Sequence, residues 1–246
     1  MSITIGAAVT AAKHLAEKEA VKAVVQYFKG EVIGRWSEHR ADKFFGALLD
    51  EIRKERDVRS ESADLNDMLR AITKSDKQTA ALFDAYRRVA LSASKDIGPR
   101  IIGLLTANIV LEDRDATGDE ELIFQGAETL NDRDFLDLNA WLTFVYSNTA
   151  QTELVGDLVA EVKTVPIPSG GISLAAMAAG KYDDPMDLAK DLGVFALKLK
   201  NLGLLSETVV RRQDPGVPGA TRYCVVVSKA CQQLDRLATR AKSAAV

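Results

Sequence analysis

Cysteine and histidine are almost absent from this chain of 246 residues, which has two of each. Cys224 and Cys231 are too few for a disulfide framework and lack metal-site spacing, so we expect buried thiols. His14 and His39 have no Cys or His neighbours, which argues against a histidine-based metal site or triad. The best apolar run, residues 101–111, is shorter than the roughly 18 residues that a membrane span needs. With no visible signal peptide, the chain is predicted to be cytoplasmic.

Short patterns that suggest chemistry are incomplete. Ser92 and Lys95 spell the Ser-x-x-Lys of acyl-enzyme nucleophiles, but neither a Ser-Asp-Asn nor a Lys-Thr-Gly partner is present. Residues 113–118 match the opening of a calcium EF-hand loop, but Phe124 stands where the final glutamate ligand is required. No glycine-rich phosphate loop is visible. The sequence therefore predicts a protein without catalytic activity, cofactor, metal or small-molecule ligand.

Charge is segregated along the chain. Residues 112–161 carry 13 acidic and 2 basic side chains, a net charge of −11. Residues 185–246 carry 10 basic and 5 acidic side chains, a net charge of +5. A basic end is compatible with DNA binding, whereas the acidic middle would repel DNA. These charges lie either on solvated helix faces or on two surfaces that dock on each other, within one molecule or between two.

The N-terminal part is predicted to be a helical bundle, because apolar residues recur there at steps of three and four. Ser75 with Gln78 and Thr117 with Glu120 form capping boxes, and Asn131 should cap another helix. The predicted helices cover residues 5–28, 32–56, 64–72, 75–91, 99–111, 117–130, 131–145 and 152–162.

Two of these helices carry predictions about burial. Helix 99–111 has little polar face, so we expect it to be the hub on which the others pack. Helix 75–91 is expected to bury its apolar residues, which are Leu82, Phe83, Tyr86, Val89 and Ala90. Residues 166–171 contain two prolines and two glycines without helical period, which marks a linker. The predicted domains are therefore residues 1–165 and 172–246.

The C-terminal segment reads as helices followed by a β-hairpin and a closing helix. A short alanine-rich helix, 172–179, comes first. The leucines and phenylalanine between 188 and 202 are spaced as one continuous apolar face, which favours a single helix capped by Asp184 and ended by Gly203. Strands are predicted at 204–211 and 223–227 around a Pro/Gly-rich turn, and Ser228 should cap the last helix.

Residues 199–210, LKNLGLLSETVV, and residues 222–237, RYCVVVSKACQQLDRL, resemble the winged-helix superfamily. That superfamily places a β-hairpin wing after a Leu-Gly-Leu turn, and its members mostly bind DNA or protein helices. The late LGLL turn at 202–205 and the helical N-terminal part are also similar to bacterial Abi-alpha type proteins, linked to abortive infection and phage defence. This second resemblance implies a bacterial or prophage setting and a non-enzymatic role.

Two functions follow for a mainly α protein of this kind. The first is protein–protein contact through the winged-helix part, with a protein partner or a second copy of the chain and no membrane. The second is a DNA-binding regulator that contacts double-stranded DNA. Gly193 offers the tight turn that helix-turn-helix readers need, but the continuous apolar spacing favours one helix. The residues that would contact nucleic acid are Lys198, Lys200, Asn201, Arg211, Arg212 and Arg222.

Overall fold

The computed structural model of this protein describes residues 34–55, 73–148, 152–154, 157–166, 186–212 and 220–243. The predicted helices 5–28, 64–72 and 172–179, most of the linker and the hairpin turn lie outside the described residues. The elements in chain order are α1 (Gly34–Glu55), α2 (Asp76–Leu91), α3 (Ile97–Leu111), α4 (Gly118–Thr129), α5 (Asp132–Asn148), β1 (Thr152–Leu154), β2 (Asp157–Pro166), α6 (Leu188–Asp191), α7 (Val194–Asn201), β3 (Leu205–Arg212), β4 (Ala220–Val227) and α8 (Lys229–Ser243).

Helix α3 is the centre of the helical part, as its lack of a polar face predicts. It contacts α1, α2, α4, α5 and α8, and nearly all of its side chains are buried. Its approach to α1 is close at Gly103, where a Cβ atom would lie 2.5 Å from the carbonyl oxygen of Phe44. The glycine therefore lets the two helix backbones approach each other across the core.

The predicted helix starts are confirmed by their hydrogen bonds. Ser75 with Gln78 and Thr117 with Glu120 each form a complete capping box. At the start of α5, Asn131 Oδ1 accepts from the N–H of Asp134 at 2.9 Å, and Asp134 Oδ2 accepts from the N–H of Asn131 at 2.9 Å. These reciprocal bonds satisfy N–H groups that a helix cannot bond internally.

Asp132, at the start of α5, holds the junction between α2 and α3. Its carboxylate accepts from Ser94 Oγ at 2.6 Å and from the N–H groups of Lys95 at 2.8 Å and Ile97 at 2.9 Å. Burial opposes ionisation, but these hydrogen bonds outweigh it and lower the pKa of Asp132. Ser92 Oγ donates to the carbonyl of Ala127 in the same junction, so both serine hydroxyls have structural partners.

The burial predicted for α2 is wrong on one face. Val89 is buried and Leu82 partly buried, but Phe83 is 73% exposed, and Tyr86 and Ala90 are exposed as well. A helix turns about 100° per residue, so the side that meets α3 excludes these three positions. The number of apolar residues in this segment does not indicate how many of them lie on the side of α2 that contacts α3.

The helix predicted over 152–162 is also wrong, because this segment forms β1 and most of β2. The two strands pair antiparallel with each other, and β2 pairs antiparallel with β4. Along β2, the buried side chains of Leu158 and Ala160 alternate with Val159 and Glu161, which are less buried. This period of two is that of a strand with one covered face.

The complete sheet has four strands in the order β1-β2-β4-β3. It joins strands from both sides of residues 166–171, and α8 packs against α3, α4 and α5 of the helical part. Arg240 of α8 also binds Glu51 of α1, with Nη2 2.7 Å from both carboxylate oxygens. The mainly helical class is confirmed, whereas the division into domains stays a prediction.

Candidate interaction surface

The helix predicted to run without a break to residue 202 is interrupted at Gly193, contrary to the apolar spacing. Asp187 caps α6, since its Oδ1 accepts from the N–H groups of Ala189 and Lys190, whereas the predicted cap Asp184 lies outside the described residues. Gly193 has φ +117°, a conformation that residues with a side chain rarely adopt. Helix α7 then begins at Val194. Two short helices joined at one glycine therefore replace the single helix.

Helix α7 contacts α5 and has a buried side that includes Phe195 and Leu199 of the predicted apolar face. Phe195, Ala196 and Leu199 are buried, and the ring of Phe195 lies 6.2 Å from that of Trp141 on α5, measured between centroids. This contact belongs to the hydrophobic core. The orientation of α7 is consequently set by the helical part of the chain.

Lys198, a predicted nucleic-acid contact, is held by the acidic middle of the chain. Its Nζ lies 2.5 Å from Asp134 Oδ2, and the Asp134 side chain is only 10% exposed. The same carboxylate caps the start of α5 through the N–H of Asn131. Because little water reaches this pair, it is screened less than a surface ion pair. Lys198 therefore joins α7 to α5 and is directed at a carboxylate.

Lys200 bonds to the strand that follows its own helix. Its Nζ lies 2.9 Å from Glu207 Oε1 on β3. Between them, Gly203 adopts φ +75°, and the N–H of Leu204 donates to the carbonyl of Leu199, a Schellman arrangement that confirms Gly203 as the end of the helix. The turn and the ion pair together fix how α7 passes into β3.

The remaining predicted contacts lie on the strands and at the helix end. Arg222 of β4 forms an ion pair with Glu161 of β2, with Nη1 3.5 Å from Oε2. Arg211 and Arg212 are the last two residues of β3, and Asn201 is exposed at the end of α7. Among the predicted contacts, the three cations whose side chains the structure describes are Lys198, Lys200 and Arg222. Each has a carboxylate partner, on α5, β3 and β2 respectively.

Apolar side chains are exposed on α7 and β3, the two elements that carry most of the predicted nucleic-acid contacts. Val194 is 60% and Leu197 41% exposed on the outward face of α7, and Val209 and Val210 of β3 are about half exposed. We name these four residues the α7–β3 surface; α7 and β3 contact each other, and the surface includes both sides of β3, because Val209 and Val210 face opposite sides of the sheet. None of the four is among the contact residues predicted from the sequence, although signals for them exist. Val194 and Leu197 fall outside the apolar spacing, and adjacent valines in a strand face opposite sides of a sheet.

Both cysteines are buried, as predicted. Burial raises the pKa of each thiol. They are free thiols packed in the interior, and a thiol whose pKa is raised holds less of the reactive thiolate.

One other feature is a cavity of about 540 Å³ between α2, α3 and α4. Four alanines, Thr106, Ile109 and Phe124 line it together with six charged residues, of which Asp84, Arg114 and Glu121 pair with the neighbouring residues Arg88 and Glu120. Arg114 binds Glu120 through two hydrogen bonds, and Arg88 binds Asp84 and Glu121. Among the residues that the structure describes, no group of three or more His, Cys, Asp or Glu side chains is placed to hold a metal ion.

Comparison with known proteins gives no further guide. No protein-family model matches the chain, and no match is found among the curated proteins or the solved structures. Within the described ranges, no helix is both long enough and apolar enough to cross a bilayer.

Proposed function

We propose that this chain is a non-enzymatic interaction protein whose α7–β3 surface binds another protein. Residues 186–243 support a winged-helix assignment by their order of two helices, two antiparallel strands and a closing helix. In such a module the second helix and the wing are the parts that contact a partner. The setting in phage defence stays a prediction from the LGLL resemblance.

The observation that carries the proposal is the chemistry of the outward face of α7. A helix that reads DNA presents polar and cationic side chains to bases and phosphates. Here the exposed positions include Val194 and Leu197, and Lys198 points to Asp134. Exposed apolar residues grouped with polar neighbours are typical of protein interfaces.

A DNA-binding function is the second candidate, and the break at Gly193 favours it. Two helices joined by a tight turn are the arrangement that helix-turn-helix readers use. Arg211 and Arg212 lie in the strand that leads to the hairpin tip, where wing residues can reach phosphates. However, Lys198 and Lys200 would first have to leave their carboxylate partners.

The test compares both candidates on the full chain. Binding to a labelled random-sequence DNA duplex is measured by fluorescence anisotropy over a salt series, with wild type and the Arg211→Ala/Arg212→Ala variant. We expect no binding at low salt. Tight binding with a steep salt dependence that flattens in the double variant would replace the proposal by the DNA-binding alternative.

Protein binding is tested by the proteins that copurify with each of three forms. Wild type is compared with Val194→Glu/Leu197→Glu and with Phe83→Glu, which changes an exposed apolar residue on α2. We expect the α7 double variant to lose its partner while Phe83→Glu retains it. Equal recovery by all three forms would contradict the role given to the α7–β3 surface.

A further inference from the structure

Strand β3 forms one edge of the sheet. It pairs with β4 on one side, and no described strand pairs with its other side. Such an edge presents a row of backbone N–H and C=O groups that can pair with another strand. Two adjacent residues of β3, Val209 and Val210, expose β-branched side chains on both sides of the sheet. The edge therefore has the backbone and the side chains of a strand that accepts a further strand.

The hydrogen bonding of β3 to β4 determines which residues face this edge. The N–H of Ser228 donates to the carbonyl of Leu204 at 3.2 Å, one position beyond the paired residues Leu205 and Val227, which places a hydrogen-bonded position of the ladder there. Hydrogen-bonded and non-hydrogen-bonded pairs alternate along an antiparallel ladder. By that alternation, the backbone groups of Glu207, Val209 and Arg211 point away from β4, towards the open edge.

These three residues are self-complementary when β3 meets a second β3 running antiparallel. If Val209 lies opposite Val209 of the second copy, then Glu207 lies opposite Arg211 at both ends. All three pairs are then of the hydrogen-bonded type, in which opposed residues exchange both N–H···O bonds. Opposite charges and β-branched residues placed across from each other both stabilise strand pairs.

We propose that the β3 edges of two copies pair in this register, joining their sheets across a two-fold axis at Val209. The partner is a second copy, because the edge-facing residues, acidic Glu207, apolar Val209 and basic Arg211, complement their own reverse. This inference deepens the proposed function by naming an occupant for the β3 part of the α7–β3 surface. An isologous contact of this kind closes after two copies.

Charge reversal tests the register. Glu207→Arg places Arg opposite Arg at both ends, and Arg211→Glu places Glu opposite Glu. We expect the full-length wild type to sediment as a dimer and each variant to self-associate at least about tenfold more weakly. An equimolar mixture of the two variants restores Glu–Arg pairs at both ends, so it should dimerise as a heterodimer. That recovery also shows that each variant is folded.

The control is Lys200→Ala, since Glu207→Arg also removes the Lys200–Glu207 ion pair. This variant loses the ion pair and keeps both edge charges, so its dimer should persist. A wild type that stays monomeric over the same concentration series, or a mixture no more associated than its components, would overturn the inference.

The two proposals fail separately. Loss of the copurifying partner in Val194→Glu/Leu197→Glu with a monomeric wild type would keep the protein-binding function and remove the β3 pairing. A wild-type dimer that obeys the charge reversal, with equal partner recovery in all forms, would keep the pairing and remove the role of α7.

Discussion

The ion pair of Lys198 and Asp134 decides how α7 can be used, and a double-mutant cycle measures it. Lys198→Met keeps the aliphatic stem, and Asp134→Asn keeps an acceptor for the N–H of Asn131. Exposed ion pairs contribute roughly 0.2–1 kcal/mol, and breaking a fully buried pair costs about 3–5 kcal/mol. With side chains 30% and 10% exposed, we expect an intermediate coupling of about 1–2 kcal/mol.

The assay is urea unfolding of wild type, both single variants and the double variant, at about 0.1 M and 1 M NaCl. The coupling should survive at the higher salt, because Asp134 is nearly shielded from solvent. Lys200 and Glu207 form the matched control, since their side chains are 41% and 35% exposed. Their coupling should stay below about 1 kcal/mol and decrease with salt. A coupling near zero for Lys198 and Asp134 would refute the reasoning, because Lys198 would then be available to phosphate.

Three further predictions concern residues that position the helices of the core and the start of α7. Hydrogen bonding lowers the pKa of Asp132 in the folded state, so its contribution to stability is present above the unfolded pKa and is lost as pH falls through the folded pKa. Asp132→Asn should therefore destabilise the protein near pH 7 and weaken the decrease of the unfolding free energy at acid pH. An unchanged decrease at acid pH would contradict this. Gly103→Ala should destabilise by about 1–3 kcal/mol, since its Cβ would lie 2.5 Å from the Phe44 carbonyl oxygen. Gly46→Ala, whose Cβ would have nothing within 4 Å, should stabilise by about 0.5–1 kcal/mol. Urea unfolding measures both variants. Gly193→Ala should cost about 1–3 kcal/mol because of the positive φ, measured by thermal unfolding, and no loss would mean that the helix break tolerates a side chain.

The helical part could be predicted because its signals are local. A cap such as Ser75 with Gln78 acts over one helical turn, and the apolar character of α3 is visible in the residues themselves. The exposure of Phe83 could not be predicted in the same way, since it depends on which side of α2 meets α3. Local chemistry determines where a helix starts, and packing determines which of its faces is covered.

The C-terminal part shows where periodicity fails. The apolar spacing from 188 to 202 is that of one helix, yet the backbone at Gly193 breaks it while keeping Leu188, Phe195 and Leu199 buried. The segment 152–162 contains both helix formers and β-branched residues, and its partner β4 lies far away in sequence. Strand pairing at such a distance is a tertiary effect that overrides local propensity.

Charge segregation along the chain has a structural consequence that composition alone left open. Two acidic residues of the segment 112–161, Asp134 and Glu161, pair with Lys198 and Arg222 of the basic end. Each pair uses a cation that could otherwise have been directed to phosphate, so the net charge of the basic end overstates its attraction for DNA. Val194 and Leu197 are among the exposed side chains that α7 offers to a partner. Its matching surface should therefore be apolar at the centre, which is the property of a protein interface rather than of a DNA groove.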